Sequence, residues 1–263
     1  MPELPEVESL MQAVKKVVGL KPTIRQANFL RGDLRDPIDI PTFERVVVGH
    51  PIHKIFRRSK YILFQTKAGF GIFHLGMTGN FITRADGDPI VPHTHAVFQV
   101  EKKSGKSEFL HYIDPRRFGR IAAIPGKTYE DHSFFSQLGP EPLECDELDE
   151  RLFERSRGRK QSVKAFLMDP RNVVGVGNIY ASEALFRVGV RPTKHAGRIT
   201  RKQMLALSVA VKEVLAEAIA AGGTTFRDFK NADGNPGYFR INLNVYDRAK
   251  LPCKKCGAAI KSV

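Results

Sequence analysis

Apolar positions in the first twenty residues recur with a helical period. Val7, Leu10, Met11, Val14 and Val18 fall on one face, with Pro5 at the start and Gly19 at the end, so an amphipathic helix is predicted over residues 5–18. From residue 24 to about 124 the period shortens. Apolar or alternating runs at 46–48, 61–64, 71–74, 96–100, 109–113 and 121–124 are separated by turn-rich pieces such as 84–88 and 103–106, which is the pattern of an antiparallel sandwich or barrel. At 138–143, LGPEPL, two prolines and a glycine interrupt all periodicity. The longer segments beyond it are helical again, at 147–156, 162–168, 179–187 and 201–221. An extended stretch at 243–246 runs into a cysteine pair. These patterns predict an α+β protein of two domains: an N-terminal helix plus antiparallel β-sandwich over 1–135, a linker at 136–143, a helical domain over 144–242 and a C-terminal piece at 243–263.

With 263 residues, 42% of them hydrophobic, the chain can fill two ordinary cores. Charge changes the picture more. Lys and Arg number 42 against 28 Asp and Glu, a formal charge of +14 with a pI near 9.8, and so large a positive excess favours a polyanionic partner, nucleic acid before an anionic membrane. The longest apolar-rich stretch, 205–221, is broken by Lys212, Glu213 and Glu217 and reads as an amphipathic helix, not a span. The first ten residues carry three glutamates and no basic region, so no signal peptide is read and a cytoplasmic protein is expected. Three cysteines, at 145, 253 and 256, are too few and too uneven for a disulfide framework.

Several residues carry candidate chemistry, each with an ordinary structural alternative. The opening MPELPEVE suits a helix start, since Pro is comfortable in the first turn and acidic side chains favour the positive end of the helix dipole. It also suits catalysis. With Met1 removed, Pro2 presents a secondary amine, and a terminal amine of pKa about 8 is neutral far more often at pH 7 than a lysine of about 10.4. Glu3 beside it is placed to move protons. Lys60, in the run Arg57-Arg58-Ser59-Lys60 before an apolar strand, reads otherwise as a solvated or phosphate-facing cation. Met77 and Phe118 read as sandwich core or, given the flanking Gly76, Gly79 and Gly119, as exposed loop residues. Gly175-Val176-Gly177-Asn178 before a helix is either a tight turn or a backbone phosphate cradle. His93 and His95, two apart with no carboxylate or cysteine nearby, are weak metal ligands. Gly222 to 239 reads as a surface loop after a helix-ending Gly-Gly.

In order along the chain, MPELPEVE, RRSKYILF, HLGMTGNF, HTHAVF, DPRRFGR, LGPEPL, VVGVGNIYASEALF, GGTTFRDFKNADGNPGYF and NVYDR resemble the formamidopyrimidine-DNA glycosylase family over almost the whole length. The resemblance implies a helical domain with a helix–two-turn–helix element, and a monomer acting on double-stranded DNA with oxidised bases or abasic sites. It implies base-excision repair of 8-oxoguanine and formamidopyrimidines, with strand nicking by β- and δ-elimination through a Pro2 Schiff base. On this likeness Pro2 is the nucleophile attacking the sugar C1′, Glu3 the proton shuttle and Lys60 the general acid of β-elimination. Met77, Arg116 and Phe118 fill the void left by the everted base, as an apolar wedge with an arginine would. His93, Arg116, Lys160 and Asn178 hold phosphates, and a loop at 222–239, with Thr224, Thr225 and Tyr238, reads the lesion.

The chain departs from the family at its C-terminal end. Relatives carry a four-cysteine zinc β-hairpin, and here only one knuckle is present, Cys253 and Cys256, giving an incomplete zinc β-hairpin with two of four ligands. A truncated chain and a natural variant with a reduced finger both fit. The arginine at the tip of the relatives' hairpin is missing too, which bears on DNA grip and δ-elimination. Two rivals remain: a catalytically impaired lesion-binding protein, and endonuclease VIII-like specificity for oxidised pyrimidines.

Overall fold

The computed structural model describes residues 2–222 and 243–262. They form two compact units, one of residues 2 and 6–136, the other of 3–5, 137–222 and 243–262.

In the first unit, α1 (Leu4–Val18) buries the predicted face of Val7, Leu10, Met11, Val14 and Val18 and ends at Gly19, whose φ of +75° closes the turn. The strands make two four-stranded antiparallel sheets. One runs β1 (Thr23–Phe29), β6 (Thr94–Glu101), β7 (Ser107–Ile113), β5 (Asn80–Arg84); the other β2 (Lys54–Arg58), β3 (Tyr61–Gln65), β4 (Gly69–His74), β8 (Arg120–Pro125). The α+β class and the sandwich are as expected. Between them Phe43, Phe73, Phe81 and Phe98 are buried, with ring centroids 5.1–5.9 Å apart along the chain of contacts, each stabilising the core by roughly 1.5–3 kcal/mol.

Residues 46–48, expected as a strand, mostly close a helix instead: α2 (Ile40–Val47). Asp39 caps it, accepting from the Thr42 N–H at 3.1 Å, and Pro41 sits in its first turn. Phe43, Val46 and Val47 are buried at helical spacing, and only Val48 bridges to Ile24 as a strand residue would. The β-branched trio pointed to a strand, and the start signal seven residues upstream outweighed it. Gly71 in β4 accommodates the docked helix, since a Cβ there would meet the Val47 side chain at 2.9 Å.

The second unit holds α3 (Leu148–Ser156), α4 (Val163–Met168), α5 (Asn178–Arg187) and α6 (Arg201–Ala220), each within a residue of the predicted span. Thr200 and Gln203 form a reciprocal capping box at the head of α6. Arg187 of α5 pairs with both carboxylate oxygens of Glu217 on α6. No helix among the described residues is long and apolar enough to cross a membrane.

Residues 243–246 are not extended, as had been expected. They bend tightly because the buried Glu183 carboxylate of α5 accepts the backbone N–H groups of Asn244, Val245 and Tyr246 at 2.9–3.0 Å, and successive amides converging on one anion need a turn. Beyond them Cys253 donates its N–H to Ala258 C=O at 2.8 Å, and Pro252 bridges to Ala259.

Candidate active site and nucleic-acid interface

Pro2 is buried and Glu3 is 3% exposed. The Glu3 carboxylate accepts from the Gly177 N–H at 2.7 Å and the Ile179 N–H at 3.0 Å, at the start of α5, where free amides and the helix dipole favour an anion. Gly177 has to be glycine: a Cβ would lie 2.3 Å from the Glu3 carboxyl carbon. Gly175, at φ +77°, leaves room for Leu4, whose N–H donates to the Gly175 C=O at 3.0 Å. The glycine turn was expected as a phosphate cradle built from backbone amides; two of those amides are taken by Glu3. The Asn178 side chain remains exposed at the head of α5. Tyr246 hydrogen-bonds Asn178; its phenol is raised by burial first and then by the Glu3 and Asp247 charges, with that hydrogen bond opposing. Sequence reasoning missed Tyr246, although NVYDR carried it.

Lys60 lies in the turn joining β2 to β3 and is partly exposed. The turn is held from below. Arg57, which the basic run suggested was solvated or phosphate-facing, instead has a side chain only 6% exposed that pairs with Glu8 at 2.9 Å and donates to the Ser59 C=O at 3.0 Å, while Ser59 is buried at φ +55°. Across the β3–β4 pair, opposite Tyr61, stands His74. Burial first, then the Lys60, Arg120 and Arg35 charges, push its imidazole down to about 4. It is therefore neutral at pH 7, with Nδ1 accepting the Gly76 N–H at 3.1 Å.

Met77 and Phe118 are 37% and 44% exposed, which removes the core reading for both. Their loops interlock through glycine. A Cβ on Gly76 would strike the Phe118 backbone at 2.3 Å, and one on Gly119 would sit 1.9 Å from the Tyr112 hydroxyl. Arg116 is exposed with its guanidinium 4.9 Å from the Phe118 ring. His93, at φ +66°, and Lys160 are exposed as well. Met77, His93, Arg116 and Phe118 thus come from three loops of one sandwich, while Lys160 and Asn178 belong to the helical unit.

Cys253 is half-buried and Cys256 exposed; Cys145 is half-buried elsewhere, and its C=O accepts from Lys212 Nζ at 2.7 Å. Among the described residues no cluster of three or more His, Cys, Asp or Glu could hold a metal. Two thiolates do not fit a closed tetrahedral zinc site. Thr224, Thr225 and Tyr238, expected in a lesion loop over 222–239, lie outside the described residues.

The Formamidopyrimidine-DNA glycosylase N-terminal domain family matches residues 1–121, and the Formamidopyrimidine-DNA glycosylase H2TH domain family matches 138–230. A formamidopyrimidine-DNA glycosylase of Alkalilimnicola ehrlichii is 45% identical over 99% of this chain and 94% of its own length. Among solved structures, the MutM (Fpg) protein of Thermus thermophilus superposes with a TM-score of 0.84 at 36% identity, covering 99% of this chain and 92% of that one. A mutant Fpg of Lactococcus lactis, in complex with Fapy-dG containing DNA, gives a TM-score of 0.88 at 26% identity over 100% and 94%. With a buried Pro2–Glu3 pair, an interlocked glycine-rich sandwich edge and a relative 45% identical over 99% of this chain, this chain belongs to the formamidopyrimidine-DNA glycosylase family.

Proposed function

We propose that the chain is a base-excision repair DNA glycosylase that removes oxidised purines, 8-oxoguanine and formamidopyrimidines, from double-stranded DNA and then cleaves the strand as an abasic-site lyase. The observation that carries this reading is the Glu3 carboxylate, on the residue that follows Pro2 in the chain, fixed on the α5 N-terminus by two backbone amides. Once Met1 is removed, the Pro2 nitrogen is a secondary amine, neutral often enough near pH 7 to attack.

The chemistry follows from the two groups. The Pro2 nitrogen bonds to C1′ of the everted nucleotide as the C1′–N bond to the damaged base breaks, and the base leaves with that electron pair. Glu3 takes the proton from the resulting ammonium and delivers it to O4′. The nitrogen lone pair then opens the C1′–O4′ bond to give an iminium, a cation formed next to a held anion. Loss of a C2′ proton expels the 3′ phosphate, to which Lys60 supplies a proton. Met77 and Phe118 fill the vacated stack with Arg116, whereas His93, Arg116, Lys160 and the Asn178 side chain take phosphates. Zinc has no part in these steps.

Borohydride trapping with an 8-oxoguanine duplex tests the reading. Protein lacking Met1 should form a covalent adduct, and its absence from fully processed protein would overturn the assignment. Lys60→Ala should keep base release measurable and weaken strand cleavage; equal loss of both would remove its separate role.

A further inference from the structure

Asp114 follows β7 and is fully buried, yet no step above uses it. Its N–H and both carboxylate oxygens are spent on loops that carry a proposed DNA contact, and its C=O on the neighbouring strand β6. Its N–H donates to the His93 C=O at 3.0 Å, and its C=O accepts from His95 Nε2 at 2.8 Å. Oδ1 accepts the Thr78 hydroxyl and the Arg116 N–H, the latter at 3.3 Å; Oδ2 accepts the Gly119 N–H at 2.7 Å. Thr78 also accepts from the Arg116 N–H, at 3.2 Å. Thr78 adjoins Met77 and Gly119 adjoins Phe118, so one carboxylate sits between the two apolar tips.

We propose that Asp114 is a positioning residue that locks Met77, Arg116 and Phe118 into a single insertion unit, so that they enter the duplex together when the damaged base is everted. The inference rests on the strand-entering role given to those three residues above. Two features favour it over general packing. The loops end in exposed apolar side chains, which water alone would let fold back onto the surface. A carboxylate also suits the site better than an amide: three donors point at it, and Asn can accept at one oxygen only.

The test separates duplex entry from chemistry. Single-turnover release of 8-oxoguanine from a duplex needs insertion, whereas Pro2-dependent cleavage of a single-stranded abasic oligonucleotide does not. Asp114→Ala should slow the duplex reaction about tenfold or more and leave single-strand cleavage within about twofold. Asp114→Asn should fall between, and the fluorescence rise of a 2-aminopurine beside the lesion, which reports insertion, should slow in parallel. If both reactions fall by the same factor, or duplex release is unchanged, the inference is wrong. Should Asp114→Ala fail to fold, Thr78→Val decides: it removes one bond to Asp114 at nearly constant shape and should give the same duplex-only defect, and an equal or absent effect on both substrates would overturn the proposal. Failure of the unaltered protein to cleave the abasic strand would instead refute the lyase reading, with the fluorescence signal still reporting on Asp114.

Discussion

Two regions of this molecule are organised around a buried carboxylate, and they turn out differently. At the sandwich edge Asp114 joins loops that glycine lets approach within van der Waals contact, and exposed Met77 and Phe118 are carried on a braced frame. In the C-terminal segment Glu183 gathers the amides of 244–246, after which a few backbone bonds lead to two thiols with no further ligand among the described residues. The first carboxylate ties separate loops to each other; the second fixes one end of one segment. What differs is how many elements share the anchor, not the presence of an anchor.

The comparison can be broken most strongly at Glu183. Glu183→Ala leaves at least three amides without their anion and should lower stability by about 3–5 kcal/mol in chemical denaturation. An unchanged denaturation midpoint would mean that the segment is held by something else. Next comes pH, which acts on the sandwich edge through His74, the acceptor of the Gly76 N–H. The folded imidazole titrates at about 4 against an ordinary value of 6.5, so the unfolded chain binds more protons between those values. This contribution is complete above about pH 6.5 and is lost as pH falls toward 4, up to about 3 kcal/mol. His74→Gln should flatten that slope, and an identical slope in the variant would exclude His74 as its source.

Gly119→Ala is smaller in scope but local. The added methyl meets the Tyr112 hydroxyl, and a loss of about 2 kcal/mol with a larger fall in duplex excision than in single-strand cleavage is expected. Equal losses in the two assays would argue that the loop frame is only structural. The smallest effect concerns the other region. Because Glu183 and backbone bonds hold the C-terminal segment, a chelator should shift the melting temperature of this chain by less than about 1 °C; a fall of several degrees would reveal a bound metal.

Much of the scaffold was legible because it repeats. The α1 face, the α6 stripe and five of the apolar runs follow periods that burial enforces whatever the partner. The strands β1, β2 and β5 escaped notice because polar residues interrupt them: Arg25 and Gln26 in β1, Arg57 and Arg58 in β2, Thr83 and Arg84 in β5. Residues 46–48 misled because three β-branched residues look alike at the end of a helix and in a strand.

The sequence by itself determined the helical face of α1, the sandwich class, the preference for a polyanionic partner and, through ordered motifs, the family. Only the tertiary structure decided which acids are buried and what they are bonded to. Asp114 and Glu183 look no different along the chain from exposed acids such as Glu154, and Glu3 stood out only by its place beside Pro2. The partners of Glu3 and Glu183 are long-range amides, Gly177 to Glu3 across 174 positions and Asn244 to Glu183 across 61, and Asp114 reaches the Thr78 hydroxyl across 36. No local pattern encodes such a bond, because the donors that offset the cost of burying the charge are brought to it only when the chain folds.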